Sequence, residues 1–437
     1  MIPAIIIAGT HSGCGKTTIA GALMSALVKR GLIVQPFKVG PDFIDPTHHT
    51  AICGRHSRNL DPFMMGEDGV IDTFVRACEG ADIAVIEGVM GLYDGLEGED
   101  YGSTAHVSKI LGCPVVLVAD TKGSSRSINA VVKGFDIFDR DIDITGVIYN
   151  RIGSPRHREM IECSVVKKAY GWIPFEKGKS VESRHLGIQM AYETSSISEF
   201  GDVLENNCNI DAIIEDAKSN FDYKETIGEK ASGDCKIRIG VAYDRAFNFY
   251  YADNFDHLRR NGAELIFFSP ISGRLPDVDA LYFGGGYPEL FGEELEGSKC
   301  REDVKKAADS GMPVYAECGG LTYLTERIEI DGKKSTMCGL IPAETIKMDR
   351  FQALGYVDAE CTVSDCIIPK GTCYRGHEFH YTRLTGLEDV KYALKLKRGR
   401  GIEDGKDGIY TNNILAGYTH AYFTDKFAKA LIETEFR

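Results

Sequence analysis

The chain has 437 residues, 43% hydrophobic and 26% charged, a composition that points to a globular protein of more than one domain. Its formal net charge is −14 with no compensating Lys/Arg-rich block, which argues against nucleic acid or an anionic membrane surface as partner. No apolar run reaches the length of a membrane span, and the opening MIPAIIIAG lacks the basic start of a signal peptide. The 13 cysteines include no CxxC pair and no zinc-like grouping, so they read as free thiols in a reducing cytoplasm.

In chain order, the continuous apolar runs AIIIAG (4–9), IVQPFKV (33–39), IAVIEG (83–88), VVLVAD (115–120) and ITGVIYN (144–150) read as strands buried on both faces. Helical stretches such as Thr17–Lys29 alternate with them. The predicted fold class is α/β, with a doubly wound parallel sheet over residues 1–213. Residues 214–235 are polar and charged, and read as a linker. A second α/β domain follows over 236–437, with strands at 237–243, 264–270, 280–286 and 313–320 and others near 351–362, 375–383 and 414–419.

The first strand runs into GTHSGCGKTT, a glycine-rich turn that opens a helix. Backbone N–H groups of Thr10, Gly13, Gly15 and Thr18 are placed to cradle phosphate, Lys16 adds a point charge, and the Thr17 hydroxyl suits Mg²⁺. The pattern departs from GxxxxGK[ST] at its first position, where Thr10 stands and the glycine is one residue earlier, at Gly9. His11 replaces the extra lysine of partition-type ATPase switches, which disfavours that non-enzymatic reading. Asp42 and Asp45 follow the second strand, Glu87 ends the third, and Asp94 lies in the loop beyond it. Carboxylates at these strand ends are natural ligands for Mg²⁺ and organisers of phosphoryl chemistry. Lys38, His48 and Arg55 belong to a local positive cluster suited to a polyanionic small substrate.

In the second domain PVYAECGG places Cys318 on a strand-to-helix elbow, with LTYLTERI read as the helix. A thiolate is favoured at such a helix start. ALYFGGGYPEL supplies Gly285 and Gly286 as a second glycine-rich strand exit, suited to oxyanion donors. His420 in LAGYTHAYF is the expected general base, with His377 and His380 of RGHEFHY as competitors.

Residues 312–324 and 415–423 resemble the nucleophile elbow and histidine of class I glutamine amidotransferases, in the branch of the cobyrinic-acid and cobyric-acid synthases. Tyr422 stands where the usual Cys-His-Glu triad has its acid, as that branch implies, which leaves open what orients His420. GTHSGCGKTT, FKVGPDFIDPTHH, EGVMGLYDG and VIYNR resemble the dethiobiotin-synthetase-like P-loop domain of the cobyrinic acid a,c-diamide synthase family. That resemblance implies ATP as co-substrate with Mg²⁺ held by Thr17, Asp42 and Glu87, and catalytic roles for Asp42, Glu87 and Asp94. It places Asn150 at the adenine, and the tetrapyrrole polycarboxylate against Lys38, Asp45, His48 and Arg55. It also implies that Cys318 and His420 release ammonia from L-glutamine held near Gly285 and Gly286. A homo-oligomer is left open. A stand-alone carboxylase-ligase like dethiobiotin synthetase is disfavoured by the Cys-bearing second domain.

Overall fold

A computed structural model describes residues 2–175, 196–217, 237–411 and 413–434. The chain divides into two compact units, Met1–Gly228 and Glu229–Arg437. The helix Ile210–Ala217 occupies the first positions of the stretch read as linker, so its expected start at Ile214 is corrected to beyond Ala217. Residues 218–235 of that stretch lie outside the described residues.

The first unit is one parallel sheet. Its strands are β1 (Ala4–Gly9), β2 (Val34–Val39), β3 (Arg58–Leu60), β4 (Ile83–Glu87), β5 (Val115–Asp120), β6 (Ile144–Ile152) and β7 (Ala169–Pro174), in the order β3-β2-β4-β1-β5-β6-β7. The apolar runs are continuous because both faces are covered. Ile5 and Ile7 of β1 pack with Leu23 and Leu27 of the helix Lys16–Lys29 on one side. Ile6 and Ala8 pack with Phe37 and Phe74 on the other. Glycine-rich loop, Asp45 and Glu87 all fall at the carboxyl ends of central strands, where open α/β sheets place ligands.

The second unit begins with parallel strands β8 (Ile237–Ala242), β9 (Ala263–Phe268), β10 (Ala280–Phe283) and β11 (Val314–Glu317). It continues through β12 (Thr325–Ile330), β13 (Lys333–Thr336), β14 (Ile341–Lys347), β15 (Ala353–Cys361), β16 (Cys373–His380) and β17 (Thr382–Thr385). The last strands are β18 (Tyr392–Arg398), β19 (Lys406–Tyr410), β20 (Ile414–Gly417) and β21 (His420–Ala421). Ten strands form one sheet, β21-β16-β15-β18-β19-β20-β11-β10-β8-β9, and four form a smaller one, β13-β12-β14-β17. The helix expected over LTYLTERI is corrected: it spans Gly319–Leu324 and gives way to β12, whose β-branched Thr325, Ile328 and Ile330 suit a strand pairing with β14. Among the described residues no helix is long and apolar enough to cross a membrane, and the described cysteines are free thiols.

One buried side chain ties the sheet to the turn before β21. Asp407 of β19 accepts the N–H of Tyr418 (2.9 Å) and of Thr419 (3.0 Å), and the Thr419 hydroxyl (2.6 Å). Gly417 is required beside it, because a Cβ there would stand 2.9 Å from the carboxylate oxygens. Asp407→Ala strands three buried donors, and we expect a loss of about 2–4 kcal/mol in denaturant unfolding of the full chain.

Candidate functional site

In the first unit, Gly13 and Gly15 adopt φ of +81° and +102°, the left-handed region that glycine allows. The displaced glycine also has a reason. A Cβ at Gly9 would stand 2.3 Å from Cys14 Sγ and 2.8 Å from the Lys16 stem, so Gly9 lets the lysine fold back over the strand end. Lys16 is buried and its Nζ donates to the His11 carbonyl at 3.3 Å; burial lowers its pKa. Thr10 Oγ1 lies 2.9 Å from His11 Nδ1, and Thr18 is half-buried on the first helical turn. Asn150 is placed against this loop, not away from it: Nδ2 donates to the Cys14 carbonyl at 2.9 Å, in space left by the absent side chain of Gly15.

Glu87 is the centre of the site and is fully buried. Its Oε1 accepts the Thr17 hydroxyl (2.6 Å) and Lys38 Nζ (2.8 Å), and its Oε2 lies 2.7 Å from His49 Nε2. Lys38 also pairs with Asp45 Oδ2 at 2.8 Å and donates to the Gly88 carbonyl at 3.2 Å. Burial pulls the Lys38 pKa down, but Asp45 and Glu87 more than reverse it, so the ammonium is held charged. Burial and Asp45 push the Glu87 carboxyl up, and Lys38 and His49 outweigh them, so it stays ionised. His49, one of the basic residues clustered in 38–58, was not expected as a direct partner of Glu87. Its spacing from Asp45, one turn along the helix Ile44–Cys53, puts the two on one face and is the signal that could have found it.

The other expected residues fall around this centre or away from it. Asp42 is half-buried, and its Oδ1 accepts the Ile44 N–H at 2.7 Å. Asp94 is exposed; its Oδ2 accepts the Gly91 N–H at 2.8 Å and shapes a loop that lies against the Thr10 carbonyl. His48 is buried in the helix next to His49. Arg55 is a correction. Its guanidinium donates to Gln35 Oε1 (2.8 Å) and to the carbonyls of Ala77 (2.8 Å) and Glu79 (2.9 Å). Gln35 begins β2, whereas Lys38 and the phosphate loop lie at the carboxyl ends, so Arg55 clamps the opposite edge of the sheet.

In the second unit, Cys318 has φ 48° and ψ −98°, a conformation rare for a side chain larger than glycine's and typical of a nucleophile on a tight elbow. It is held by its N–H donating to the Gly417 carbonyl at 2.7 Å, and by its own carbonyl accepting from Thr322 N at 3.0 Å. Sγ lies 3.6 Å from the Phe379 carbonyl. A Cβ on Gly319 would stand 3.0 Å from Gly286 N, and one on Gly320 would stand 2.6 Å from the Phe283 carbonyl oxygen. The two glycine-rich exits therefore meet backbone to backbone. Gly285 packs on the expected base: its Cβ would stand 2.1 Å from His420 Cε1.

His420 lies in β21, opposite His377 of β16. The neighbouring residue is clamped on both sides. Glu317 Oε1 accepts the Ala421 N–H at 3.0 Å, and Asn254 Nδ2 donates to the Ala421 carbonyl at 2.8 Å. Glu317 directly precedes the nucleophile and also accepts the hydroxyls of Tyr315 and Tyr282, each at 3.0 Å; burial pushes its pKa up to about 8. His380 is stacked on Tyr418 at 3.6 Å between ring centroids, and its Nδ1 donates to the Thr382 carbonyl at 2.8 Å. Burial pushes His420 down to about 3, with His377 and His380 adding to the shift. Burial likewise raises the Cys318 thiol well above its ordinary range. The expected resting thiolate is thus corrected to a thiol, and His420 to a neutral imidazole, because burial outweighs the short helix that follows.

Two domain families account for most of the chain. Residues 5–192 match the CobQ/CobB/MinD/ParA nucleotide binding domain, and residues 238–427 match the CobB/CobQ-like glutamine amidotransferase domain. The chain is 42% identical to the cobyrinate a,c-diamide synthase of Methanosarcina barkeri, over 99% of this chain and 96% of that one. It is 44% identical to the enzyme of that name from Archaeoglobus fulgidus, over 97% of this chain and 94% of the relative. The Methanocaldococcus jannaschii relative is 40% identical, with 98% of each chain covered.

The Glu87 centre makes a stability prediction. Lys38→Met leaves Asp45 and Glu87 buried together without their shared cation, and should cost about 3–5 kcal/mol in denaturant unfolding. Adding Glu87→Gln to that variant should recover part of the loss, since one of the two charges is then gone.

Proposed function

The chain belongs to the cobyrinate a,c-diamide synthase family, and from that premise we propose that it amidates the a- and c-acetate carboxylates of cobyrinate, with glutamine as nitrogen donor and ATP as activator. The observation that carries the reading is the pairing, in one chain, of a phosphate loop facing the Thr17–Glu87–Lys38 cluster with a strained cysteine whose glycine elbow meets the Gly285–Gly286 exit on which His420 packs.

A carboxylate does not react with ammonia until its oxygen becomes a leaving group. In the first unit the phosphate loop and Lys16 hold the triphosphate of ATP, and an acceptor carboxylate oxygen takes the γ-phosphoryl group to give an acyl phosphate. Lys38, held charged by Asp45 and Glu87, sits where it can neutralise the developing negative charge. Thr17 and Glu87 present hard oxygen donors 2.6 Å apart, the kind that Mg²⁺ takes. Among the described residues no three His, Cys, Asp or Glu side chains form a metal-holding group, so Thr17 and Glu87, with Asp42 at the same strand ends, would share the ion with nucleotide phosphate oxygens. Bound there, Mg²⁺ supplies charge neutralisation. Asp42 and Asp94, each occupied with a backbone N–H, order the loops around the phosphates. Asn150 steadies the phosphate loop from β6, on the side assigned to the adenine.

In the second unit the thiol proton of Cys318 passes to His420 as sulfur attacks the side-chain amide carbon of glutamine. The glycine-rich exit at Gly285 and Gly286, whose Gly286 N faces the Gly319 backbone, would supply an N–H donor to the oxyanion. Ammonia leaves with the proton from His420, and water then hydrolyses the thioester to glutamate. The ammonia attacks the acyl phosphate, and inorganic phosphate departs as the carboxamide forms. The same chemistry would serve nickel sirohydrochlorin, whose acetate side chains are alike, and all its small substrates belong to the cytoplasm.

Cobyrinate and nickel sirohydrochlorin should be assayed side by side with ATP and glutamine. Amidation of cobyrinate supports the reading; failure with both acceptors, with ATP binding intact, overturns it. Cys318→Ala should lose glutamine-driven amidation by at least about 10³-fold and keep ammonium-driven amidation within about twofold, whereas loss of both would make Cys318 structural.

A further inference from the structure

The strand that ends beside the phosphate loop does so irregularly. β6 pairs with β7 at Tyr149↔Trp172 and again at Ile152↔Pro174, so between those points β6 carries one residue more than its partner. Within this bulge Arg151 stands at φ +64°, a left-handed conformation that glycine takes freely and arginine only at a cost. Bulges of this kind re-aim side chains. Here the side chain is aimed at the loop: Arg151 Nη2 donates to the Gly13 carbonyl at 2.9 Å. Its Nη1 is paired with Asp120 at the end of β5, and Asp120 Oδ1 is itself fixed by the Lys122 N–H at 2.9 Å.

Asn150, the preceding residue, holds the next carbonyl of the loop, that of Cys14, and its Oδ1 accepts the Arg151 N–H at 2.9 Å. Two successive carbonyls are therefore tied back to the end of β6. The peptides are trans, and across a trans peptide the C=O and the following N–H point in opposite directions. The N–H groups of Cys14 and Gly15 are thus both turned away from β6, as a pair that can meet one anion. Gly13 and Gly15 are the residues best able to undo this, because glycine lets a neighbouring peptide plane flip at little cost.

We propose that Arg151 is a positioning residue for ATP: its guanidinium, braced on Asp120, holds the Gly13 peptide so that the Cys14 N–H faces the phosphates. The proposal rests on the loop being the phosphate site of the activating nucleotide. It accounts for an arginine standing where glycine would be relaxed. In a competing role the guanidinium would release Gly13 and meet the phosphates as a charge, which a lysine also supplies. Clamping instead needs the planar fork, one end on the carboxylate and the other on the carbonyl.

The test measures ATP affinity by titration calorimetry and the urea unfolding midpoint without nucleotide, both on the full-length protein. Arg151→Lys and Arg151→Gly should each weaken ATP about tenfold or more, the scale of one hydrogen bond made to a charged group. Arg151→Gly also relieves the backbone, so its midpoint should hold or rise while its affinity falls, a split that a merely structural role would not produce. Asp120→Asn should weaken ATP as well, and should add less than about twofold to the loss of Arg151→Lys, since the two residues act as one clamp. An Arg151→Lys protein with wild-type affinity overturns the proposal in favour of a simple charge. So does an Arg151→Gly protein with wild-type affinity, or one whose midpoint falls with its affinity or that does not fold. A wild type that fails to bind ATP would instead overturn the reading of the loop as a nucleotide site.

Discussion

Gly320 donates its N–H to the Gly284 carbonyl at 3.0 Å, and no side chain fits between those backbones. The rest of the second unit's chemistry depends on this approach. It seats the elbow against the end of β10, so that Cys318 can hold a φ of 48° while its N–H is tied to β20. Strain of that kind survives only where several contacts over-determine it. Here strand ends from β10, β11 and β20 share the task. His420 is placed by the same means. Its strand is held through the backbone of Ala421 by Glu317 and Asn254, so orientation comes from the main chain although Tyr422 occupies the place of a triad acid.

The first unit solves its problem with charge. Two carboxylates and an ammonium lie almost wholly out of water, and each is tolerable only because of the others. Such a cluster is a costly way to stabilise a fold, since apolar residues of equal size serve as well. It does provide a fixed field of opposite charges at the strand ends where a triphosphate and a carboxylate must be brought together. His49 and Thr17 complete the coordination of Glu87, so that no oxygen of that carboxylate is left to swing.

Much of this was legible in the residues because the signals were periodic or punctuated. Buried parallel strands are continuous apolar runs, and the runs at 4–9 and 115–120 coincide with β1 and β5. The phosphate loop, Cys318 and His420 announced themselves by glycines and strand ends. Short edge strands such as Arg58–Leu60 did not, having too few residues to show a period. Nor did β12, because LTYLTERI reads as one apolar-periodic segment until pairing with β14 claims its second half. Arg55 was misplaced because a cluster of basic residues in sequence says nothing of which end of a strand each one reaches. Glu317 and Asp407 were overlooked for a related reason: an acid inside an apolar strand looks like an interruption until its backbone partners on other strands and turns are known.

The resting state of the nucleophile follows from burial. Out of water, the thiol is raised and the imidazole lowered, so both are uncharged at neutral pH. Moving the proton from sulfur to the ring creates opposite charges that attract each other more strongly in this buried setting than they would in water. That attraction offsets part of the burial cost, and glycine-lined backbone donors can take up more of it once an amide oxygen lies among them. A site built this way is quiet until its substrate arrives, since the amide is the group that lets the thiolate's charge move onto oxygen. Reactivity here belongs to the complex of enzyme and amide, and His377 and His380, both pushed down to about 4 by burial, add no charged imidazole around His420.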